Sequence, residues 1–199
     1  MKKNYVVMIS VAIILMVMAA CGRSVIAPKS PISKYCDRLE DIHKIFGKFW
    51  AVENEEARDK VEKEVKDNIE ELKEEMLGME LKTENAEEPY FEIIKPFTVT
   101  RARPTDGAID FEAVVKPKDP TVKMGEFYLV ACAGSEPITI KRYTCKYNDD
   151  DSIVLDICQV IGNIIHGGEK IDEKLRSIDR IVIAEDYSEL VKKLQGDND

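Results

Sequence analysis

Five cysteines, two histidines and scattered carboxylates are the side chains of this 199-residue chain whose types could carry chemistry. Cys36, Cys132, Cys145 and Cys158 lie far apart, and none stands in the Cys-x-x-Cys spacing that brings two sulfurs together in a redox catalyst. Outside a reducing compartment, four cysteines can instead form two disulfides. Cys145 and Cys158 flank the acidic turn Asn148–Asp151 and are the first pair expected to bond. Cys132 should fall opposite about position 139 of the next strand, which disfavours its pairing with Cys145, and Cys36 fits an apolar core as a plain thiol. His43 and His166 have no second nitrogen ligand nearby in sequence, as a zinc site requires. The run Asn148-Asp149-Asp150-Asp151-Ser152 opens like a calcium loop. Its sixth and twelfth places hold Ile153 and Gln159 rather than Gly and Glu, so turn and capping roles are expected. Gly134-Ser135-Glu136 is a turn signal, not a nucleophile elbow. Asp110 and Glu112, two apart on an expected strand, share a face that could perform glycosidic acid/base work or be an ordinary polar surface. No catalytic, cofactor-binding or metal-binding set is assigned.

The fifth cysteine stands in a different context. Lys2 and Lys3 precede an uncharged run from Tyr5 to Ala20. That run falls short of the ~20 residues a helix needs to cross a bilayer and has the form of a secretory signal. It closes on Met18-Ala19-Ala20-Cys21. This segment resembles a bacterial lipoprotein precursor, with Met18 where Leu is usual. The resemblance implies a diacylglyceryl group on the Cys21 thiol, cleavage after Ala20, and a body held outside the cytoplasm by its lipid. More than one acyl chain is needed for stable anchoring, since one alone is marginal. The anchor would lie in the cell membrane or the outer membrane, and Gly22 rather than Asp after the cysteine favours the outer one by resemblance to enteric lipoproteins. An uncleaved anchor helix and a plain secreted form are the alternatives, and both also place the body outside the cytoplasm.

The elements that would position these side chains divide the chain into a signal (1–20), a tether (21–30), a helical region (31–88) and a β-rich domain with a C-terminal helix (89–199). Ser30 before Pro31 is a helix start. Ile32, Tyr35, Cys36, Leu39, Ile42, Ile45, Phe46, Phe49 and Trp50 then step by three and four along one broad buried face, with Gly47 a place to end or bend. Ala57, Val61, Val65, Ile69, Leu72, Met76 and Met79 make a second, narrower stripe. An antiparallel pair over 31–49 and 53–80 is expected, followed by a polar linker at 82–89.

Alternation over 97–102 and 109–115, a turn at Thr105-Asp106-Gly107, and β-rich runs at 127–133 and 138–147 predict an antiparallel meander. The stretch 152–166 reads two ways. Ser152, Asp156, Gln159 and Asn163 form a polar stripe at helical spacing, whereas its many Ile and Val residues favour a strand. The helix is preferred; as a strand, this stretch would help complete a two-sheet sandwich. Residues 180–184 read as a last strand, 187–194 as a short terminal helix, and 196–199 as a frayed end. The fold class expected is α+β, a pair of long amphipathic helices followed by an antiparallel meander or sandwich-like domain.

Charge narrows the function. The net formal charge of −9 argues against a general nucleic-acid binder. Residues 53–88 carry 15 acidic and 6 basic groups, whereas 95–146 carry nine basic and six acidic ones. The two regions are expected to dock on each other, or the basic strands to meet an anionic partner. The function expected is a membrane-anchored, non-catalytic binding or scaffolding module with a protein or small-ligand partner. An envelope hydrolase and a small-ligand carrier are the other classes.

Overall fold

The computed structural model describes residues 29–86, 90–121 and 124–186. The expected signal, Cys21 and the 187–194 helix lie outside the described residues. Helix α1 spans Pro31–Gly47 and starts as its sequence dictates: Ser30 Oγ accepts from Ser33 N at 3.2 Å, and Pro31 occupies the first turn, where its missing N–H costs nothing. A 3-10 turn follows at Lys48–Ala51. Helix α2 spans Glu55–Met76, capped by the Asn54 side chain accepting from Ala57 N at 2.8 Å, with Glu55 and Glu56 favourably placed in its first turn. The antiparallel pair forms as expected. Tyr35, Cys36, Leu39 and Ile42 are buried on α1, and Val61, Val65, Ile69, Leu72 and Met76 on α2. Lys34 meets Glu75 at 2.8 Å, and Arg38 meets Glu71 and Glu75 at 3.2 Å, across the rim of the contact.

Among the described residues the β part holds seven strands: β1 (Lys82–Asn85), β2 (Phe91–Arg103), β3 (Ala108–Pro117), β4 (Glu126–Ala133), β5 (Glu136–Thr144), β6 (Ile153–Val160) and β7 (Arg180–Ala184). They form a four-stranded sheet, β1-β7-β4-β5, and a three-stranded sheet, β2-β3-β6. All pairings are antiparallel except β1 with β7. Two short helical turns, α3 (Ile164–Gly167) and α4 (Glu173–Arg176), connect β6 to β7.

Four expectations change. The meander is instead two hairpins, β2–β3 and β4–β5, in different sheets, because the chain crosses from one sheet to the other between Pro117 and Glu126. The polar linker contains β1, whose backbone pairs with β7 although its side chains are mostly charged or polar. The stretch 152–166 is strand β6 and then α3, not one helix. Burial alternates along it, with Ile153, Leu155 and Gln159 inside and Val154, Asp156, Cys158 and Val160 outside. The helical reading was misled by two valines that the sheet leaves in solvent. Finally, Cys132 stands opposite Pro137, not 139, because the β4–β5 turn is tight and the register shifts beside it.

One apolar core runs through helices and sheets together, from Tyr35, Leu39 and Leu72 to Phe97, Phe111, Phe127, Leu155 and Ile178. The helical region is therefore packed into the same core as the strands. Tyr35 ties the layers further: its hydroxyl donates to Ala108 O on β3 at 2.8 Å. The opposite face of the four-stranded sheet carries a second buried cluster of Ala86, Val130, Cys132, Val182 and Ala184.

The two sheets are joined along both flanks. On one, the residues leading into β1 bond to β2 through backbone and side chain: Leu81 N donates to Phe97 O at 2.7 Å, Val99 N to Met79 O at 2.9 Å, and Phe97 N to Thr83 Oγ1 at 2.9 Å. On the other, Tyr147, three residues past the end of β5, makes an isolated bridge with Ile153 at the start of β6, and the two strands then diverge into separate sheets.

Candidate functional site

The residues singled out for chemistry are dispersed by the fold, and each has a structural occupation. Cys36, Cys132, Cys145 and Cys158 are all free thiols, so the Cys145–Cys158 bond expected from sequence is not made here. Cys145 follows β5 on one sheet, and Cys158 stands on β6 of the other. Burial raises all four thiol pKa values, that of Cys36 to about 12 against the pull of the Arg176 guanidinium. At Cys158 the neighbouring Asp110 carboxylate adds to the rise. These sulfurs are protonated at neutral pH, the inert state for a nucleophile or metal ligand.

Asp110 and Glu112 do share one face of β3. Asp110 is held in a two-point contact by Arg103, with Nε to Oδ2 at 3.1 Å and Nη2 to Oδ1 at 3.0 Å, while Glu112 faces Lys95 at 3.7 Å. The Asn148–Ser152 loop closes on itself. Asp150 Oδ1 accepts from Ser152 N at 3.1 Å and from Ser152 Oγ at 2.6 Å, which lowers the Asp150 pKa, and Asp151 adopts a left-handed φ of 64°. Among the described residues, no group of three or more His, Cys, Asp or Glu side chains could hold a metal.

The expected electrostatic docking of helix on strands is not how the halves meet. Lys95, Arg103, Lys141 and Arg142 pair with Glu112, Asp110, Asp156 and Glu126, all within the β part. The helices pair with each other and, through Asp37 and Glu40, with Arg176 of α4. The contact between helices and sheets is mainly apolar, made by the common core, with the Tyr35–Ala108 hydrogen bond within it.

At the tip of the helical hairpin, Phe46 and Phe49 pack partly buried against the edge of the core. The sequence places Phe46, Phe49 and Trp50 on the buried stripe of a continuing helix. Instead α1 stops at Gly47, and the tighter 3-10 turn swings the stripe out of register, leaving Trp50 77% exposed. The rings nevertheless form an ordered cluster. Phe46 and Phe49 stack at 5.9 Å, Trp50 stands edge-on to Phe49 at 5.4 Å, and the Arg58 guanidinium lies 5.9 Å over the Phe49 ring. From the other side His166 of α3 meets Phe46 edge-on at 5.0 Å, while His43 Nδ1 is 3.1 Å from Ile165 O. The two histidines, distant in sequence, thus both brace the contact between α1 and α3. The one sequence signal for this tip was Gly47 followed at once by three bulky or charged residues.

No family model, curated protein or solved structure matches this chain. The functional reading therefore rests on its own residues.

Proposed function

We propose that the chain is a lipid-anchored, extracytoplasmic binding module, tethered through acylated Cys21 and contacting a protein partner with the aromatic tip of its helical hairpin. Exposure of Trp50 carries the reading. A protein interface draws much of its energy from a few aromatic and arginine side chains, and Trp50, Phe49 and Arg58 meet at the tip with Lys48 beside them. An isolated Trp would cost ordering entropy on binding; one already braced by Phe46 and Phe49 loses less. The tip also lies at the end of α1 opposite its start. Chain from Cys21 enters α1 at Pro31, and the tip lies at the other end of a 17-residue helix, ~25 Å away at 1.5 Å per residue. A hydrolase reading has less support, because the four thiols are protonated and Asp110 and Glu112 are engaged by Arg103 and Lys95.

Photo-crosslinking in native membranes tests it. A crosslinking amino acid at Ala51, beside Trp50, should give a discrete protein adduct. The same group at Lys63, exposed on α2, should not. Trp50→Ala should abolish the adduct while changing stability by less than about 1 kcal/mol, as for an exposed side chain. Equal labelling from both positions, or an adduct that survives Trp50→Ala, would remove the tip from the account.

A further inference from the structure

A second surface, independent of the tip and of the anchor, is the gap between β5 and β6. Each is the last strand of its sheet, and they diverge from the Tyr147–Ile153 bridge. An open groove of about 560 Å³ lies between them, bordered by Arg142, Thr144, Lys146, Asn148 and Asp156. Among the described residues, its β6 wall is a strand edge with no strand opposite. Val154 and Asp156, two apart, present their carbonyls to the same side, away from β3. Side chains from β5 satisfy them: the Tyr143 hydroxyl donates to Val154 O at 2.7 Å and Lys141 Nζ to Asp156 O at 3.0 Å. Single side chains therefore span the space between the two edges. Two strands flanking a missing one stand ~9.6 Å apart, twice the usual spacing, a distance that an extended tyrosyl or lysyl chain ending in a hydrogen bond can bridge. Ile140 and Val154 remain about 40% exposed on the two strands, 41% and 39% respectively.

We infer that this gap takes an extended acidic peptide segment of a partner protein, which adds as a strand between β5 and β6 and completes the sheet on that flank. Main-chain hydrogen bonding to the two edges supplies affinity, as in other strand-addition complexes. Charge selects the occupant. In a chain of net charge −9, the groove is bordered by Lys141, Arg142 and Lys146. Lys141 lies 3.8 Å from Asp156 and Arg142 pairs with Glu126, exposed ion pairs of small worth that an incoming carboxylate can exchange. Arg142 and Thr144 alternate along β5 and Lys146 follows two residues beyond its end, so on an added strand their cross-strand neighbours would be the acidic side chains. The incoming backbone displaces the Tyr143 and Lys141 contacts, which fill the edge in the unbound protein and protect it from indiscriminate pairing.

The test is an NMR titration of the full chain with three end-capped six-residue probes: alternating Glu-Val, alternating Lys-Val, and the Glu-Val peptide with alternate amides N-methylated. The Glu-Val probe should give saturable shifts at the amides of 141–146 and 154–158. The N-methylated probe, losing about two hydrogen bonds, should bind about tenfold more weakly, and the Lys-Val probe more weakly still. Tyr143→Phe, which frees the Val154 carbonyl, should tighten Glu-Val binding about threefold, and Arg142→Glu with Lys146→Glu should weaken it. Absence of saturable shifts, equal binding of the N-methylated probe, or shifts centred on Phe49 and Trp50 would overturn the inference.

Discussion

Tyr35 and Cys36 sit side by side on α1, fully buried where helix meets sheet. Burial is the main cause of the raised pKa of each: the phenol moves well above its ordinary 10.0, and the thiol from 9.0 to about 12. For both groups the folded pKa exceeds the unfolded one. The stability they contribute is fully present below pH 9 and is lost as pH rises from 9 and 10 toward the folded values. Each group can withdraw at most about 1.4 kcal/mol per pH unit across its window. Thermal melts should therefore hold steady to about pH 9 and fall steeply beyond it. Cys36→Ala, although less stable at neutral pH, should show a shallower fall between pH 9 and 10. A melting temperature that declines equally in wild type and variant over that interval would deny Cys36 this role. Cys36 as a core thiol was readable from its place on the stripe. The tyrosine's partner, Ala108 O, was not, because a bond across 73 residues leaves no local pattern.

Among the elements, the helical pair and strands β2 and β3 were legible from periodic apolar positions. Strands β4, β5 and β7 were legible from runs of β-branched and aromatic residues between turn signals, since burial along those three does not alternate. Two elements were hidden for different reasons. Strand β1 is held by backbone pairing with β7, a partner about a hundred residues later, and its own side chains are too polar to advertise it. Strand β6 showed its Ile and Val content. Exposed Val154 and Val160, together with buried Gln159, disguised its alternation as a helical stripe. The β2–β3 turn depends on Gly107, which the sequence marked as a hairpin glycine but for only half of the reason. Its φ is +60°, and a Cβ there would stand 1.6 Å from Gly162 O, on the segment leaving β6. Gly107 O in turn accepts from Ile161 N at 2.7 Å, so this one residue pins the β2–β3 turn to the end of β6. Gly107→Ala should cost at least about 3 kcal/mol, combining a left-handed φ with a backbone overlap. Chemical denaturation would measure it, and a loss under 1 kcal/mol would mean that this junction yields easily.

For the molecule as a whole, helices and sheets share one core; Phe46 and Phe49 of the tip and Tyr143 beside the β5–β6 gap pack against its edge, while Trp50 stands in solvent. Neither surface was named from sequence. The tip was concealed by a helical pattern that continues in the residues after the helix has stopped, and the gap exists only because consecutive strands join different sheets. The proposed address, by contrast, rests on the leader: Met18-Ala19-Ala20-Cys21 resembles the lipidation site of a lipoprotein precursor, and an acidic body would disfavour lying on an anionic bilayer. In the proposal, a lipid on Cys21 holds the body and the tip of the hairpin meets the partner. Intact mass measurement of the protein extracted from membranes tests this most directly. The predicted product begins at Cys21 and carries a diacylglyceryl group, and Cys21→Ser should leave the protein unacylated in the soluble fraction. A membrane-bound product that retains residues 1–20, or one that begins at Cys21 without fatty chains, would contradict it.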